Sequence, residues 1–228
     1  MNTKLIFGIA TVLLVAFLYA SYTVTNPVKN TYFPEAAKIE RVATNSAQIP
    51  DHIKGTGKRI LTEYADLQCP ACKSVHEYFE IELKQDAEFA RIMNTEYTVV
   101  YKHFPLRNIH KNAQIAVQAA EAAGLQGKFY EFIDTAYKNQ DQWKDSDSPL
   151  DTFNLYAKDL GVDQEQFAND AKSSLVVQKI DRDIASGTAS ELNSTPSFYI
   201  DGKPVAGFGN FEELKKIIIE ESKKKAAK

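Results

Sequence analysis

The residues best suited to chemistry are the only two cysteines of the chain, which stand two residues apart in Cys69-Pro70-Ala71-Cys72. Two thiols at this spacing can close into a small ring that holds one disulfide, so the pair can act as a two-electron redox couple. A lone CxxC can also be half of a zinc site, with His76 one turn later as a third ligand. Because no second cluster of ligands follows, redox chemistry is the preferred interpretation.

The elements around the cysteines place the first of them at the start of a helix. The run Arg59–Ala65 is apolar with β-branched and aromatic members, which predicts a buried strand. Val75, Phe79 and Leu83 then recur at the spacing of a helix face. Exposed N–H groups and the helix dipole favour a thiolate at such an N-terminus. Pro70 fits the first turn, where its missing N–H has no helical partner.

The rest of the chain predicts an α/β fold that contains a large helical block. A second β-rich run covers 97–104, and helical patterns fill 112–186. The segment 198–206 then carries the two-residue hairpin signal Asp201-Gly202, and a final helix follows. A crossover between parallel strands needs only about a dozen residues. The stretch from about 107 to 190 is therefore interpreted as an inserted helical subdomain.

Composition and the first fifty residues indicate an exported globular protein. With 44% hydrophobic and 25% charged residues the chain is typical of a folded domain, and its net charge of −3 argues against nucleic acid as a partner. The uncharged run Leu5–Tyr22 would span about 27 Å as a helix, close to a bilayer core. We expect residues 1–22 to be an uncleaved single-pass anchor, with a cleaved signal peptide as the alternative. Residues 23–50 would be a tether, and 51–228 a domain on the extracytoplasmic side, where disulfides persist.

Four segments together resemble the DsbA-like thiol-disulfide oxidoreductases, of the membrane-anchored kind found on bacterial cell surfaces. They are ADLQCPAC at 65–72, KHFPL at 102–106, GKFYEF at 127–132 and STPSFYIDG at 194–202. The resemblance covers about residues 55–222, and the pairing of CxxC with a Thr-Pro before a hairpin is more specific than either motif alone. It implies a thioredoxin fold with a helical insertion, in agreement with the order of elements above.

The resemblance also implies a role for each of five residues. Cys69 would be the exposed nucleophile, and Cys72 would resolve the mixed disulfide. Pro196 would follow a cis peptide bond and lie against the cysteines, which leaves the backbone of Thr195 to pair with an extended substrate. Glu63, six residues before the first cysteine, matches a buried acid that would relay the proton of Cys72. Its position inside a buried strand predicts a raised pKa.

Four further positions qualify this picture. Asp66 competes with Glu63 for the proton-relay role, or caps the turn that follows it. Ala71 stands where the best-known oxidases of the family carry a histidine, which argues against a very strong oxidant. His103 and His110 lie in segments that the family shares, and we expect them only to pack.

The function expected from these observations is the introduction of disulfides into exported proteins. The family implies re-oxidation by a quinone-linked membrane partner of the DsbB or VKOR type, and no bound cofactor. A disulfide reductase or isomerase on the same fold is the nearest alternative. A non-catalytic metal-binding or docking protein is an alternative from another class, which would keep the cysteines but would not need Pro196 or Glu63.

Overall fold

A computed structural model of the protein describes residues 48–224. The expected anchor at Leu5–Tyr22 and most of the expected tether lie outside this range. Within it, no helix is both long and apolar enough to cross a membrane. The strands are β1 (His52–Lys54), β2 (Arg59–Ala65), β3 (Tyr97–His103), β4 (Ser197–Ile200) and β5 (Lys203–Pro204). The helices are α1 (Pro70–Gln85), α2 (Ala87–Thr95), α3 (Ala113–Gly124), α4 (Phe129–Lys138), α5 (Gln140–Trp143), α6 (Pro149–Asp159), α7 (Gln164–Asp170), α8 (Ser174–Ala189) and α9 (Phe211–Ser222).

The strands form one five-stranded mixed sheet in the order β1-β3-β2-β4-β5. The central strand β2 pairs in parallel with β3 on one side and antiparallel with β4 on the other. In this register Glu63 stands beside Tyr101 and opposite Phe198. The α/β class and the hairpin at Asp201-Gly202 are as predicted, whereas the edge strand β1 was not predicted.

Helices α1 and α2 connect the two parallel strands. The buried face of α1 carries Cys72, Phe79 and Leu83, so the predicted periodicity follows the side that packs on the sheet. Helix α2 was missed by the sequence analysis. Its first turn is capped by the side chain of Asp86, which accepts hydrogen bonds from the two following N–H groups of Glu88 and Phe89.

Helices α3 to α8 all lie between β3 and β4, in the stretch interpreted as an insertion. The alanine-rich α3 is buried along most of its length and packs against α4, α6, α7 and α8. Small side chains let these neighbours approach α3 closely. The core of the insertion is continuous with the cysteines, because Cys69 and Cys72 belong to the same buried cluster as the α3 alanines.

One carboxylate joins the insertion to the sheet. Oε1 of Glu121 on α3 lies 2.9 Å from Nε2 of His52 on β1 and 2.9 Å from Nε2 of His103 on β3. Burial opposes ionisation here, but the charges and hydrogen bonds of the two imidazoles hold the pKa of Glu121 well below its ordinary value. His103 therefore does more than pack, because it helps to fix the insertion on the sheet.

Candidate active site

The CxxC motif lies at the junction between the end of β2 and the start of α1. Cys69 is the residue before the helix, in an extended conformation, and Pro70 occupies the first turn. The N–H groups of Ala71 and Cys72 lie near enough to the sulfur of Cys69 to lower its pKa. This is the arrangement that the sequence pattern predicts, since a strand followed by a proline-initiated helix leaves its first N–H groups free for the preceding side chain.

The two thiols have opposite pKa shifts. The pKa of Cys69 falls to about 5, chiefly because the thiol of Cys72 donates to its sulfur, and the nearby Thr195 hydroxyl and the N–H groups of Cys72 and Ala71 add to this effect against that of burial. Burial raises the pKa of Cys72 well above its ordinary value, and the neighbouring Cys69 sulfur adds to that effect. At neutral pH the pair therefore consists of a thiolate at Cys69 and a neutral thiol at Cys72.

Both cysteines are more buried than the expected exposed nucleophile. Cys69 retains 7% exposure and Cys72 none. The loop before β4 covers the first cysteine, since Sγ of Cys69 lies 3.3 Å from the carbonyl oxygen of Thr195. The Thr195–Pro196 peptide bond is cis, and the Thr195 hydroxyl is close enough to both sulfurs to lower the pKa of each. The two segments joined by the sequence motifs, CxxC and Thr-Pro, thus meet at one point.

The Asp66 carboxylate hydrogen-bonds to the loops that follow β2 and β3, next to the cysteines. This fully buried carboxylate accepts hydrogen bonds from the N–H of Gln68 at 2.7 Å, the N–H of Leu106 at 2.8 Å and Nδ1 of His110 at 2.7 Å. The N–H of Asp66 lies 3.5 Å from Sγ of Cys72. Of the two roles considered for Asp66, these contacts support the turn cap. They also give His110 a partner that the sequence pattern did not indicate.

Glu63 lies on the sheet face that α1 covers and is 8% exposed. Burial raises its pKa to about 7, and the nearby positive charges of His76 and Lys54 limit the rise. Besides burial, the charges of Glu63 and Cys72 both raise the pKa of Tyr101, so the acid and the second cysteine border the same buried side chain.

One group of side chains near Glu63 has the composition of a metal site. His76, Glu80 and Asp134 offer ligand atoms that all lie within 4.8 Å of one another. Positive charge is already present, however. The ammonium of Lys54 interacts with Asp134 and Glu80, and Lys84 lies 3.1 Å from Glu80. Ion pairs therefore account for this group.

An open groove begins next to the Thr195 loop. It has a volume of about 460 Å³ and lies between the segment after β3 and the end of α8. Its apolar lining is supplied by Phe104, Pro105, Leu106, Ile109, Ile184 and Leu192. Asn193, two residues before Thr195, also lines it. The sequence analysis did not identify this groove, because its walls come from two distant segments.

Comparison with known proteins identifies the family. The family model described as thioredoxin matches residues 55–220. The chain belongs to the thioredoxin family. Among solved structures, BdbD from Bacillus subtilis superposes with a TM-score of 0.63 at 17% identity, covering 75% of this chain and 92% of that one. Wolbachia pipientis α-DsbA1 gives 0.62 at 17% identity, with 76% and 92% covered. A thioredoxin-like oxidoreductase from Silicibacter pomeroyi gives 0.61 at 23%, with 78% and 94% covered. At these identities the likeness confirms the expected DsbA-like thioredoxin fold.

The curated proteins that match this chain by sequence are named as ion antiporters. The Na(+)/H(+) antiporter NhaA 1 of Mycolicibacterium gilvum is 34% identical over 157 residues, which is 67% of this chain and 24% of the antiporter. NhaA 3 of Salinispora tropica is 31% identical over 169 residues, again 24% of its length. The chain thus spans about a quarter of the length of these relatives. The family model places that matching region in the thioredoxin family.

Proposed function

We propose that this protein is a thiol-disulfide oxidoreductase that introduces disulfides into exported proteins through Cys69 and Cys72. The observation that carries the proposal is the placement of the two thiols. Cys69 stands at the N-terminus of α1 with its sulfur 3.3 Å from the Thr195 carbonyl oxygen, and Cys72 is fully buried, so the pKa of Cys69 falls and the pKa of Cys72 rises. A low-pKa cysteine is a good leaving group and stabilises the dithiol form, which makes the disulfide form an oxidant.

The reaction follows from this contrast. A client thiolate attacks Sγ of Cys69 in the enzyme disulfide, the S–S bond breaks, and Cys72 leaves with the electron pair and takes up a proton. A second client thiolate then attacks the client sulfur of the mixed disulfide and releases Cys69 as a thiolate. The client loses two electrons and gains a disulfide, and the enzyme is left with one thiol and one thiolate.

The positions of Thr195 and Glu63 support distinct parts in this exchange. The backbone of Thr195 lies against the reacting sulfur, where an extended client could pair with it as an added strand. The apolar groove that begins at Asn193 would receive the client residues beyond that strand. Glu63, with a pKa of about 7, has the acidity suited to exchanging a proton with Cys72 near neutral pH.

We place the catalytic domain on the extracytoplasmic side of a membrane, held by the uncharged run Leu5–Tyr22. An oxidase needs its own oxidant, so we also propose re-oxidation by a quinone-linked membrane protein of the DsbB or VKOR type. The protein should remain with membranes after a high-salt wash. A soluble mature form beginning near Ser21 would instead show that the segment is a cleaved signal peptide.

Trapping of mixed disulfides tests the proposed chemistry. The variant Cys72→Ala should accumulate disulfide-linked client complexes, because the thiol that releases a stalled client is gone. The matched variant Cys69→Ala should accumulate none, since it lacks the nucleophile. Equal trapping by both variants would refute the assignment of roles. Metal bound tightly by the reduced protein, with no exchange of disulfides, would support the alternative of a metal-binding protein.

Reduction and isomerisation are the second candidate activities, and one observation favours them. Ala71 places no imidazole between the cysteines, so only the helix N-terminus and its neighbours stabilise the Cys69 thiolate. A reduction potential at or below that of thioredoxin, about −270 mV, would assign the protein as a reductase.

A further inference from the structure

A buried acid that exchanges protons with a thiol needs its own connection to water. Glu63 is 8% exposed and lies between the sheet and α1. Lys54, a neighbouring charge, is 5% exposed and sits over the ring of Tyr130 at 3.9 Å. On the proposed function, Glu63 must nevertheless return to its starting protonation state in every cycle.

The side chains next to Glu63 become more exposed towards one edge of α1 and α4. His76 lies on α1 one turn after Cys72, and its side chain is 11% exposed. Its Nε2 is 2.8 Å from Oδ1 of Asp134 on α4, whose side chain is 26% exposed. The ring of His76 also lies 4.8 Å from that of Tyr137, which holds the imidazole in place.

We propose that His76 and Asp134 form the proton outlet of Glu63, through which the acid beneath the cysteines exchanges protons with solvent. The inference deepens the proposed function and rests on it. An imidazole suits this position because it can accept a proton on one ring nitrogen while it releases another. Glu63 stands beside Tyr101 in the sheet, and the hydroxyl of Tyr101 lies 3.3 Å from that of Tyr137, whose ring packs against His76, so the acid and the imidazole border the same pair of tyrosines.

The other groups that face Glu63 cannot replace this pair. Burial raises the pKa of Tyr101 on β3, and of Tyr130 and Tyr137 on α4, far from neutrality. Glu80 on α1 is paired with Lys84 at 3.1 Å. Lys54 on β1 keeps a pKa of about 8 and lies inside the layer. Among the described residues near Glu63, His76 is therefore the side chain that leads to a partly exposed carboxylate, that of Asp134.

When the enzyme is re-oxidised, the proton of Cys72 leaves through this outlet. The S–H of Cys72 gives its proton to Glu63, and the resulting thiolate attacks Sγ of Cys69 in the mixed disulfide. The bond from Cys69 to its partner breaks, and the partner sulfur leaves with the electron pair. Glu63 passes the proton to His76, and His76 releases a proton to water beside Asp134. His76 and Asp134 touch no reacting sulfur, so they are positioning residues.

The test is the rate at which Cys72 resolves a mixed disulfide between Cys69 and glutathione in the full-length protein. We expect His76→Gln and Asp134→Asn to slow this step about tenfold at pH 7. Alkylation of Cys69 by iodoacetamide should keep its wild-type rate in both variants. Added imidazole should accelerate His76→Gln towards the wild-type rate, a rescue that a purely structural defect would not show.

Glu77→Gln is the matched control, because it changes the neighbouring position of the same helix and Glu77 forms an ion pair with Lys73 at 3.9 Å. It should resolve the mixed disulfide at the wild-type rate. The outlet is refuted if both His76→Gln and Asp134→Asn resolve as fast as wild type, or if they are slow and imidazole gives no rescue. If the wild-type protein itself fails to resolve the mixed disulfide, the proposed function is refuted instead.

Discussion

Removing the Thr195 hydroxyl tests whether the thiolate at Cys69 sets the oxidising power. In Thr195→Val the backbone that faces Cys69 remains, but a hydroxyl that lowers the pKa of Cys69 is lost. A hydrogen bond to a charged group contributes about 1.5–3 kcal/mol. Since Thr195 is a lesser donor here than Cys72, the lower figure applies, and the pKa of Cys69 should rise from about 5 to about 6.

The effect on the reduction potential follows from linkage. At pH 7 a thiol with a pKa of about 5 stabilises the dithiol form by about 2.7 kcal/mol, against about 0.4 kcal/mol for the nucleophile of thioredoxin, whose pKa is about 7. The difference of about 2.3 kcal/mol corresponds to about 50 mV. Starting from the thioredoxin value of about −270 mV, we expect about −220 mV for this protein and about −250 mV for Thr195→Val.

The stabilisation of the dithiol form by Cys69 also depends on pH in a definite direction. The pKa of Cys69 is lowered on folding, so its stabilisation of the dithiol form is complete above the ordinary thiol pKa and disappears as the pH falls through about 5. The difference in reduction potential between this protein and one whose cysteines have ordinary pKa values should therefore shrink as the solution is acidified towards that pH.

Equilibration with glutathione buffers gives the potential, and the ultraviolet absorbance of the thiolate against pH gives the pKa. Ser197→Ala is the control, because the Ser197 hydroxyl donates to the carbonyl of Ser194 at 2.9 Å in the same loop. It should change neither quantity. A raised pKa in Thr195→Val with an unchanged potential would refute the argument, since the thiolate would then not determine the redox balance.

Three further outcomes are expected. In the reduced protein at neutral pH, alkylation should label Cys69 and spare Cys72, because only the former is a thiolate; mass spectrometry that finds Cys72 labelled first would reverse the assignment. Glu63→Gln should raise the melting temperature at pH 8 and leave it unchanged at pH 4, because burying the ionised acid costs about 3 kcal/mol above its pKa of about 7 and nothing once the carboxyl is protonated. Glu121→Ala should lower the free energy of unfolding by about 3–5 kcal/mol in urea titrations. The stability of the wild-type protein should fall as the pH drops below the ordinary glutamate pKa, and Glu121→Gln should not show this fall.

The sequence predicts the elements whose signal is local. The strand Arg59–Ala65, the helix begun by Pro70 and the turn at Asp201-Gly202 each depend on neighbouring residues, and all three are present. Helix α2 has an equally local signal that was overlooked, with Asp86 as its cap and Phe89, Ile92 and Met93 at helical spacing. The short strand β1 has no such signal, because pairing with β3 alone defines it.

The contacts that complete the site could not be predicted in the same way. Asp66 and His110 are 44 residues apart and meet only because the loops after β2 and β3 end at the same edge of the sheet. His76 and Asp134 lie on helices of different subdomains. Sequence spacing identifies residue types suited to chemistry, whereas the packing of the insertion on α1 decides which of them become neighbours.

The depth of the Cys69 sulfur has a consequence for the choice of clients. With 7% exposure and the Thr195 carbonyl 3.3 Å away, the sulfur can be reached only by a cysteine on a segment that is free to bend into the gap between two loops. Cysteines on rigid strands and helices of a finished protein cannot make that approach. On the proposed function, the same geometry would admit an unfolded client and leave the disulfides of folded proteins untouched.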